Sequence, residues 1–371
     1  MKIVTSLFLI ALGVFSVNAQ ISSATEVFEL PSPLTESSGA ILFNTKLITH
    51  NDSGGEAKLY ELDTISGLVT RTVTISNATN VDWEDMTQDA SHIYIGDFGN
   101  NSGSRTDLKI YKIRKSDYTS STTVTAETIA FSYSGQTDFT ATPNASEWDA
   151  EALVSFDATN LMVFSKNWVD GVTKAYLVPK TAGTYSLSPL ATTLNSGGLI
   201  SGGTYNTFSH KLYLVGYSST LQPFVWVSEN FSGTTDVFDG TNTKTVVSSF
   251  AVEQIEAIAF VDVNRYFMTS ESFSFGPISV NAKLISFSTS DTLSAERVPT
   301  EASFAYPNPV DSFLYLKSEV IALIELYDLN ARQLYKGTTP RIDMRSFENG
   351  VYVVKMTLKN GRIAMKKVMK K

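Results

Sequence analysis

Glu151-Ala152-Leu153-Val154-Ser155-Phe156, followed by Leu161-Met162-Val163-Phe164-Ser165-Lys166-Asn167, carries the pattern that decides the fold. An acidic residue opens a short apolar run, a polar turn follows, and a second apolar run ends in small and polar residues. Runs of this length, rich in β-branched and aromatic residues and bounded by Gly, Asn, Asp and Ser, are strand signals. The pattern returns four times. It appears at Glu36-Ser37-Ser38-Gly39 with Lys46 to Gly54, and at Glu84-Asp85-Met86 with His92 to Asn100. It appears again at Ser201-Gly202-Gly203-Thr204-Tyr205 with Lys211 to Tyr217, and at Glu256-Ala257-Ile258-Ala259-Phe260 with Arg265 to Glu271.

The starting points 36, 84, 151, 202 and 256 are 48, 67, 51 and 54 residues apart. Self-similarity at this spacing indicates four-stranded sheets repeated around an axis. No long segment has a period of 3.6, so helix is minor. The expected fold is all-β, a five-bladed β-propeller over residues 20–290. Six blades are the alternative, with a degenerate blade in residues 100 to 150. Lys58 to Asp63 and Val69 to Ile75 complete the first blade, and Leu108 to Arg114 and Glu127 to Tyr133 the second. The fifth blade has a third strand at Ala282 to Ser288 and no fourth. Glu26 to Leu30 is the strand left over, so the N-terminus is expected to finish the last blade and remove an open edge.

Composition excludes several function classes. There is no cysteine, and the only histidines are His50, His92 and His210. Disulfides, thiolate metal sites and cysteine nucleophiles are therefore out. From residue 304 onward the chain has 12 Lys+Arg against 6 Asp+Glu, which leaves 17 against 31 for the remainder. An acidic body repels phosphates, so no nucleic-acid partner is expected. No Gly-x-Ser-x-Gly elbow, His-Glu-x-x-His, P-loop, EF-hand loop or dinucleotide fingerprint occurs. At the N-terminus, Lys2, the apolar run Ile3 to Val17 and Val17-Asn18-Ala19 fit a secretory signal peptide over 1–19. No other stretch approaches the ~18 apolar residues of a membrane span, so no transmembrane segment is expected in the mature protein.

A hairpin brings the start of its first strand beside the end of its second. In a propeller the first strands line the channel. Glu36, Glu84, Glu151 and Glu256 should thus ring one mouth, as candidate metal ligands. Asp52, Asp97, Lys166 and Glu271 end the second strands on the same face, as candidate ligand-binding residues. Converging carboxylates repel, and are relieved by a cation, a proton or backbone amides. Two readings stand: Ca2+, which prefers oxygen donors and tolerates irregular geometry, or purely structural capping. The loop Gly96-Asp97-Phe98-Gly99-Asn100-Asn101-Ser102-Gly103-Ser104-Arg105 permits close backbone approach, and Arg105 joins Asp97 as a candidate contact to a polar ligand group. Trp83, Trp148 and Trp168 lie near these motifs, either as stacking platforms for a sugar or as packing between blades.

Two resemblances follow. Tyr306-Pro307-Asn308-Pro309, then Ile324 to Asn330, then Gly350 to Met356, then Asn360-Gly361 and the terminal Lys366-Lys367-Val368-Met369-Lys370-Lys371 resemble the type A C-terminal sorting domain of the type IX secretion system of Bacteroidota. Ala331 stands where that family has glycine. The resemblance covers residues 304–371 and implies a small Ig-like β-sandwich, the type IX secretion machinery as partner, and a secreted or cell-surface destination after periplasmic transit. Residues 291–303 are then a linker. Glu151-Ala-Leu and Glu256-Ala-Ile are similar to the repeated motif of calcium-binding propellers, which implies a calcium ring. The expected function is binding of an unknown extracellular ligand at the acidic channel face. The alternative is a calcium-dependent hydrolase of phosphoester, ester or glycoside substrates.

Overall fold

The computed structural model describes residues 21–231, 236–291, 305–317, 321–328, 332–358 and 363–371. The expected leader and nearly all of the expected linker lie outside them, as do Asn330, Ala331 and the pair Asn360-Gly361. The chain divides into two compact units, Met1–Leu293 and Ser294–Lys371.

The first unit is built of small antiparallel sheets. Sheet one comprises Ser37–Phe43, Lys46–Asn51, Lys58–Asp63 and Val69–Ile75. Sheet two comprises Trp83–Gln88, His92–Asp97, Lys109–Arg114 and Glu127–Tyr133. Sheet three is Ala150–Ser155, Asn160–Ser165, Val172–Pro179 and Pro189–Asn195. Sheet four is Leu199–Asn206, Lys211–Tyr217, Pro223–Glu229 and Thr241–Val246. Sheet five is Ile255–Phe260, Arg265–Ser270, Lys283–Ser288 and, from the N-terminus, Thr25–Glu29, with Thr25 opposite Ser286 and Glu29 opposite Lys283. Residues 100 to 150 feed strands to sheets one to three and form no sheet of their own among the described residues.

The first strand of each sheet lies beside those of two others, in the order one, two, three, four, five and back to one. Each junction has its own core, because alternating apolar side chains on facing strands must be buried between sheets. Ile41, Ile48 and Leu59 meet Trp83, Ile93 and Ile95 between sheets one and two. Tyr94 and Ile110 meet Leu153 and Tyr176 between two and three. Val154 and Phe164 meet Leu212 and Phe224 between three and four, and Tyr213 and Val225 meet Ile258 and Tyr266 between four and five. Leu47 and Leu62 meet Ala257 and Leu284 where five returns to one. Asp85 sits among the inner strands and is fully buried. Its carboxylate accepts the N–H of Met86 at 2.8 Å, of Leu153 in sheet three at 2.9 Å, and of Gly203 in sheet four at 3.0 Å.

Two short strands cross between sheets. Thr123–Val124, reached through the helix Lys115–Ser120, adds parallel to Val69–Ile75 of sheet one. Gly183–Leu187, from the sheet-three segment, adds parallel to Glu127–Tyr133 of sheet two. Only the first excursion, with its helix, lies inside the long 67-residue interval of the repeat and lengthens it.

The second unit has two sheets. One is Ala305–Tyr306, Phe313–Leu316 and Arg341–Asp343; the other is Gln333–Gly337, Ile321–Tyr327, Gly350–Leu358 and Ile363–Lys370. Leu314, Ile324, Leu326, Ile342, Val354 and Val368 form a single core.

Candidate functional site

In every inner hairpin the first strand carries one residue more than its partner. Trp83 faces Asp97 but Met86 faces Ile95. Ala150 faces Ser165 but Ala152 faces Phe164. Ile255 faces Ser270 but Ala257 faces Thr269. The same shift follows Ile200 in sheet four and Ser37 in sheet one. A bulge leaves its extra residue unpaired and re-aims the side chain. Glu84, Glu151 and Glu256 occupy these bulges and are buried. Sheets one and four have Ser38 and Ser201 there, both buried as well.

This register corrects two expectations. Glu36 is exposed and lies two residues before its bulge, so it is not the counterpart of Glu84. It corresponds to Asp82, Asp149 and Gln254, which stand two residues before Glu84, Glu151 and Glu256. Asp97 faces Trp83 directly, whereas Asp52, Lys166, Tyr217 and Glu271 each come one residue after the facing position. Phe98 takes that place in sheet two and is fully buried in the core. A one-residue offset in a strand moves the side chain to the other face.

Asp97 is instead tied down by cations. Arg105 Nη2 lies 2.9 Å and Lys109 Nζ 3.7 Å from its carboxylate. Arg105 also donates to Gly99 O at 2.8 Å and to Asp107 at 3.1 Å. Asn100 fixes the same loop to sheet three by donating its backbone N–H to Asp149 at 2.6 Å and its amide to Trp148 O at 3.1 Å. The expected ligand contacts Asp97 and Arg105 therefore hold their own loop in place.

The acidic groups that converge are Asp52, Asp82, Glu84, Asp149, Glu151, Glu256 and Glu271. One carboxylate oxygen from each of Asp52, Asp82 and Glu84 lies within 4.8 Å of the others. Gly99 closes over them. A Cβ there would stand 2.0 Å from Glu84 Oε1 and 2.5 Å from Asp82 Oδ2. Lys166, buried, is bonded to Glu151 and lies over the rings of Trp168 at 5.1 Å and Tyr217 at 5.5 Å. Glu271 accepts from Gln254 Nε2 at 2.9 Å. Glu256 Oε1 is buried without a hydrogen-bond partner among the described residues.

The electrostatics follow from burial and like charge. Burial, with Asp82 beside it, pushes Asp52 up to about 7. Burial and then Asp149 push Asp82 up to about 6, against the opposing charge of Arg105. Burial, with Glu151 and Asp52, drives Glu84 well above the carboxylate range. Burial raises Glu151 and Glu256 also, the latter to about 7, although Lys166 opposes both shifts. Burial and then Glu256 raise Glu271. Burial disfavours the Lys166 ammonium, but Glu151, Tyr217 and Glu256 outweigh it and hold its pKa above the ordinary lysine value. The mouth thus crowds more carboxyl groups together than Lys166 can pair, and the raised pKa values show that ionising them all without a further cation is costly. Oxygen donors only, crowded and irregular, suit a hard divalent cation.

The tryptophans are mostly structural. Trp83 is fully buried, edge-on to His50 at 5.4 Å. Trp148 packs on Tyr133 at 5.6 Å. Trp168 donates its indole N–H to Asp149 at 2.7 Å. The sequence reading missed Asp82 and Asp149. A signal was available: Asp82-Trp83-Glu84 and Asp149-Ala150-Glu151 repeat one Asp-x-Glu pattern, with Glu36-Ser37-Ser38 and Gln254-Ile255-Glu256 as variants.

No curated protein matches the chain's sequence. Among solved structures, a glucose dehydrogenase is similar at TM-score 0.40 and 10% identity over 71% of this chain and 98% of that one. A second glucose dehydrogenase is similar at TM-score 0.41 and 8% identity over 71% and 99%. A chain from a mitotic checkpoint complex is similar at TM-score 0.33 and 7% identity over 76% and 98%. No helix among the described residues is long and apolar enough to cross a membrane. Residues 305–371 match the family described as the secretion system C-terminal sorting domain, a tail that implies interaction with the type IX secretion machinery and export to the cell surface or beyond.

Proposed function

We propose that the body is a five-bladed β-propeller, delivered outside the cell by an Ig-like sorting tail, that binds an extracellular ligand through a calcium ion at its acidic mouth. The ion would be held by Asp52, Asp82 and Glu84, with Glu151 and Glu256 nearby and largely balanced by Lys166. This revises the expected ring: Glu36 drops out and Asp82 enters. The observation that carries the reading is the approach of three carboxylate oxygens to within 4.8 Å beneath Gly99. The unpartnered Glu256 Oε1 in the same mouth supports it. A bound calcium takes 6–8 oxygens, so positions left open by the protein are available to a phosphate, carboxylate or sugar hydroxyl.

A calcium-dependent hydrolase is the second reading. It is favoured by Glu256 lying at about 7, where a carboxyl group serves as general acid or base near neutral pH. Thermal melting with calcium and with EDTA tests the shared first step. Calcium should raise the melting temperature by about 5 °C or more, a few kcal/mol by linkage for a protein of this size. Asp82→Asn should abolish the rise. Equal melting under both conditions would remove the calcium site, and turnover of a phosphoester, ester or glycoside that depends on Glu84 would favour the hydrolase.

A further inference from the structure

The inner strands end at a second mouth. There a cavity of about 790 Å3 is lined by all five sheets, the sides being Phe43, Gln88, Phe156, Tyr205 and Phe260. Its volume lies in the range of small-molecule sites, ~300–1,000 Å3. Four aromatic residues stand on its wall. Phe156 and Tyr205 pack at 5.3 Å, and Phe43 and Phe260 complete the circle from sheets one and five.

The charged groups of the wall differ in how far they are already satisfied. Asp89 accepts from Ser91, His92, Tyr94 and Lys180. Asp157 accepts from Thr159 and Asn160. Lys180 spends its three protons on Asp89 at 3.2 Å, Ser155 at 2.8 Å and Asp157 O at 2.7 Å. Lys115 is different. Its ammonium donates to one backbone oxygen, Asp89 O, at 2.5 Å and lies 4.7 Å over the ring of Phe43. Among the described residues it has no carboxylate partner, and burial lowers its pKa with only Asp89 opposing. A half-buried ammonium with two spare protons, set over the ring of Phe43, lacks an anion among the described residues. Charge-assisted hydrogen bonds of this kind are the strong ones.

We propose that this cavity is a binding site, separate from the acidic mouth, for a small aromatic anion whose carboxylate or sulfonate meets Lys115 and whose ring lies among Phe43, Phe156, Tyr205 and Phe260. Its charge preference is opposite to that of the carboxylate cluster, and it needs no metal.

Calorimetric titration of the whole chain with naphthalene-2-carboxylate and with the neutral 2-naphthylmethanol tests this. The anion is expected to bind about tenfold more tightly than the alcohol, with or without EDTA. Lys115→Gln should bring the anion down to the affinity of the alcohol and leave the alcohol unchanged. Ala158→Trp, at the exposed rim, should block both, with melting confirming that the variant is folded. Absence of binding to the native chain, or full anion affinity in folded Lys115→Gln, would overturn the proposal, and the latter result holds however Ala158→Trp behaves.

Discussion

One inserted residue turns Glu84, Glu151 and Glu256 out of their ladders and into a shared space, and the energetics of the mouth follow from that. Asp52, Asp82 and Glu256 bind protons more tightly folded than unfolded, being raised to about 7, 6 and 7. Their contribution to stability is complete below the unfolded carboxylate pKa of ~4 and is lost as pH rises through 6 to 7. His50 acts in the other sense. Burial pushes it down to about 4, so its contribution is present above ~6.5 and lost as pH falls toward its folded value. Calcium-free protein should therefore melt lower at pH 8 than at pH 6, and calcium should shrink the gap. Lys166→Met should enlarge it. Removing Lys166, the cation beside Glu151 among the described residues, leaves buried charge uncompensated, a cost of about 3–5 kcal/mol that protonation relieves. Equal melting of this variant and the native chain at pH 8 would show that Lys166 does not balance the cluster. These roles were partly legible. The repeated Glu and the Lys166 counter-charge could be read from position, but Asp97 could not be placed. A one-residue error at the end of the second strand is invisible without the bulge register, and the place expected for Asp97 belongs to Phe98.

At the level of elements, the repeat announced the inner hairpins because they alternate cleanly and are bounded by polar turns. The closing strand was legible too, since Glu26 to Leu30 had no other partner. The cross-sheet strands were not. Thr123–Val124 is too short to show a period, and Gly183–Leu187 pairs parallel with a strand more than fifty residues earlier. Closure by Thr25–Glu29 is also a prediction. It covers the edge of Lys283–Ser288 and brings Glu26 to within 3.9 Å of Lys283. A chain beginning at Leu30 exposes that edge, and exposed edges pair with other chains. It should unfold at least about 3 kcal/mol more easily and self-associate, as read by denaturant titration and light scattering. A monomer of native stability would show that the closing strand is dispensable.

For the whole molecule, the sorting tail and the body are separate compact units. The sorting tail was the most legible part of the sequence, because motifs at a chain end keep their order whatever the body does. Its own residues form a self-contained core, so it can be removed without cutting a sheet of the body. Deleting residues 305–371 should leave the remaining chain in the periplasm with its calcium response intact, as followed by cell fractionation and melting. Normal export of that chain would refute the tail's role.

Asp85 has a consequence for how the body comes together. Its carboxylate is met by amides of sheets three and four, more than sixty and more than a hundred residues along the chain. While either sheet is missing, a buried acid lacks donors, so partial assemblies carry a penalty that the completed ring does not. Closing the circle should then be a late and concerted event. The amide protons of Leu153 and Gly203, far apart in sequence, should exchange with solvent at one common rate, set by opening of the ring and not by fraying of either sheet.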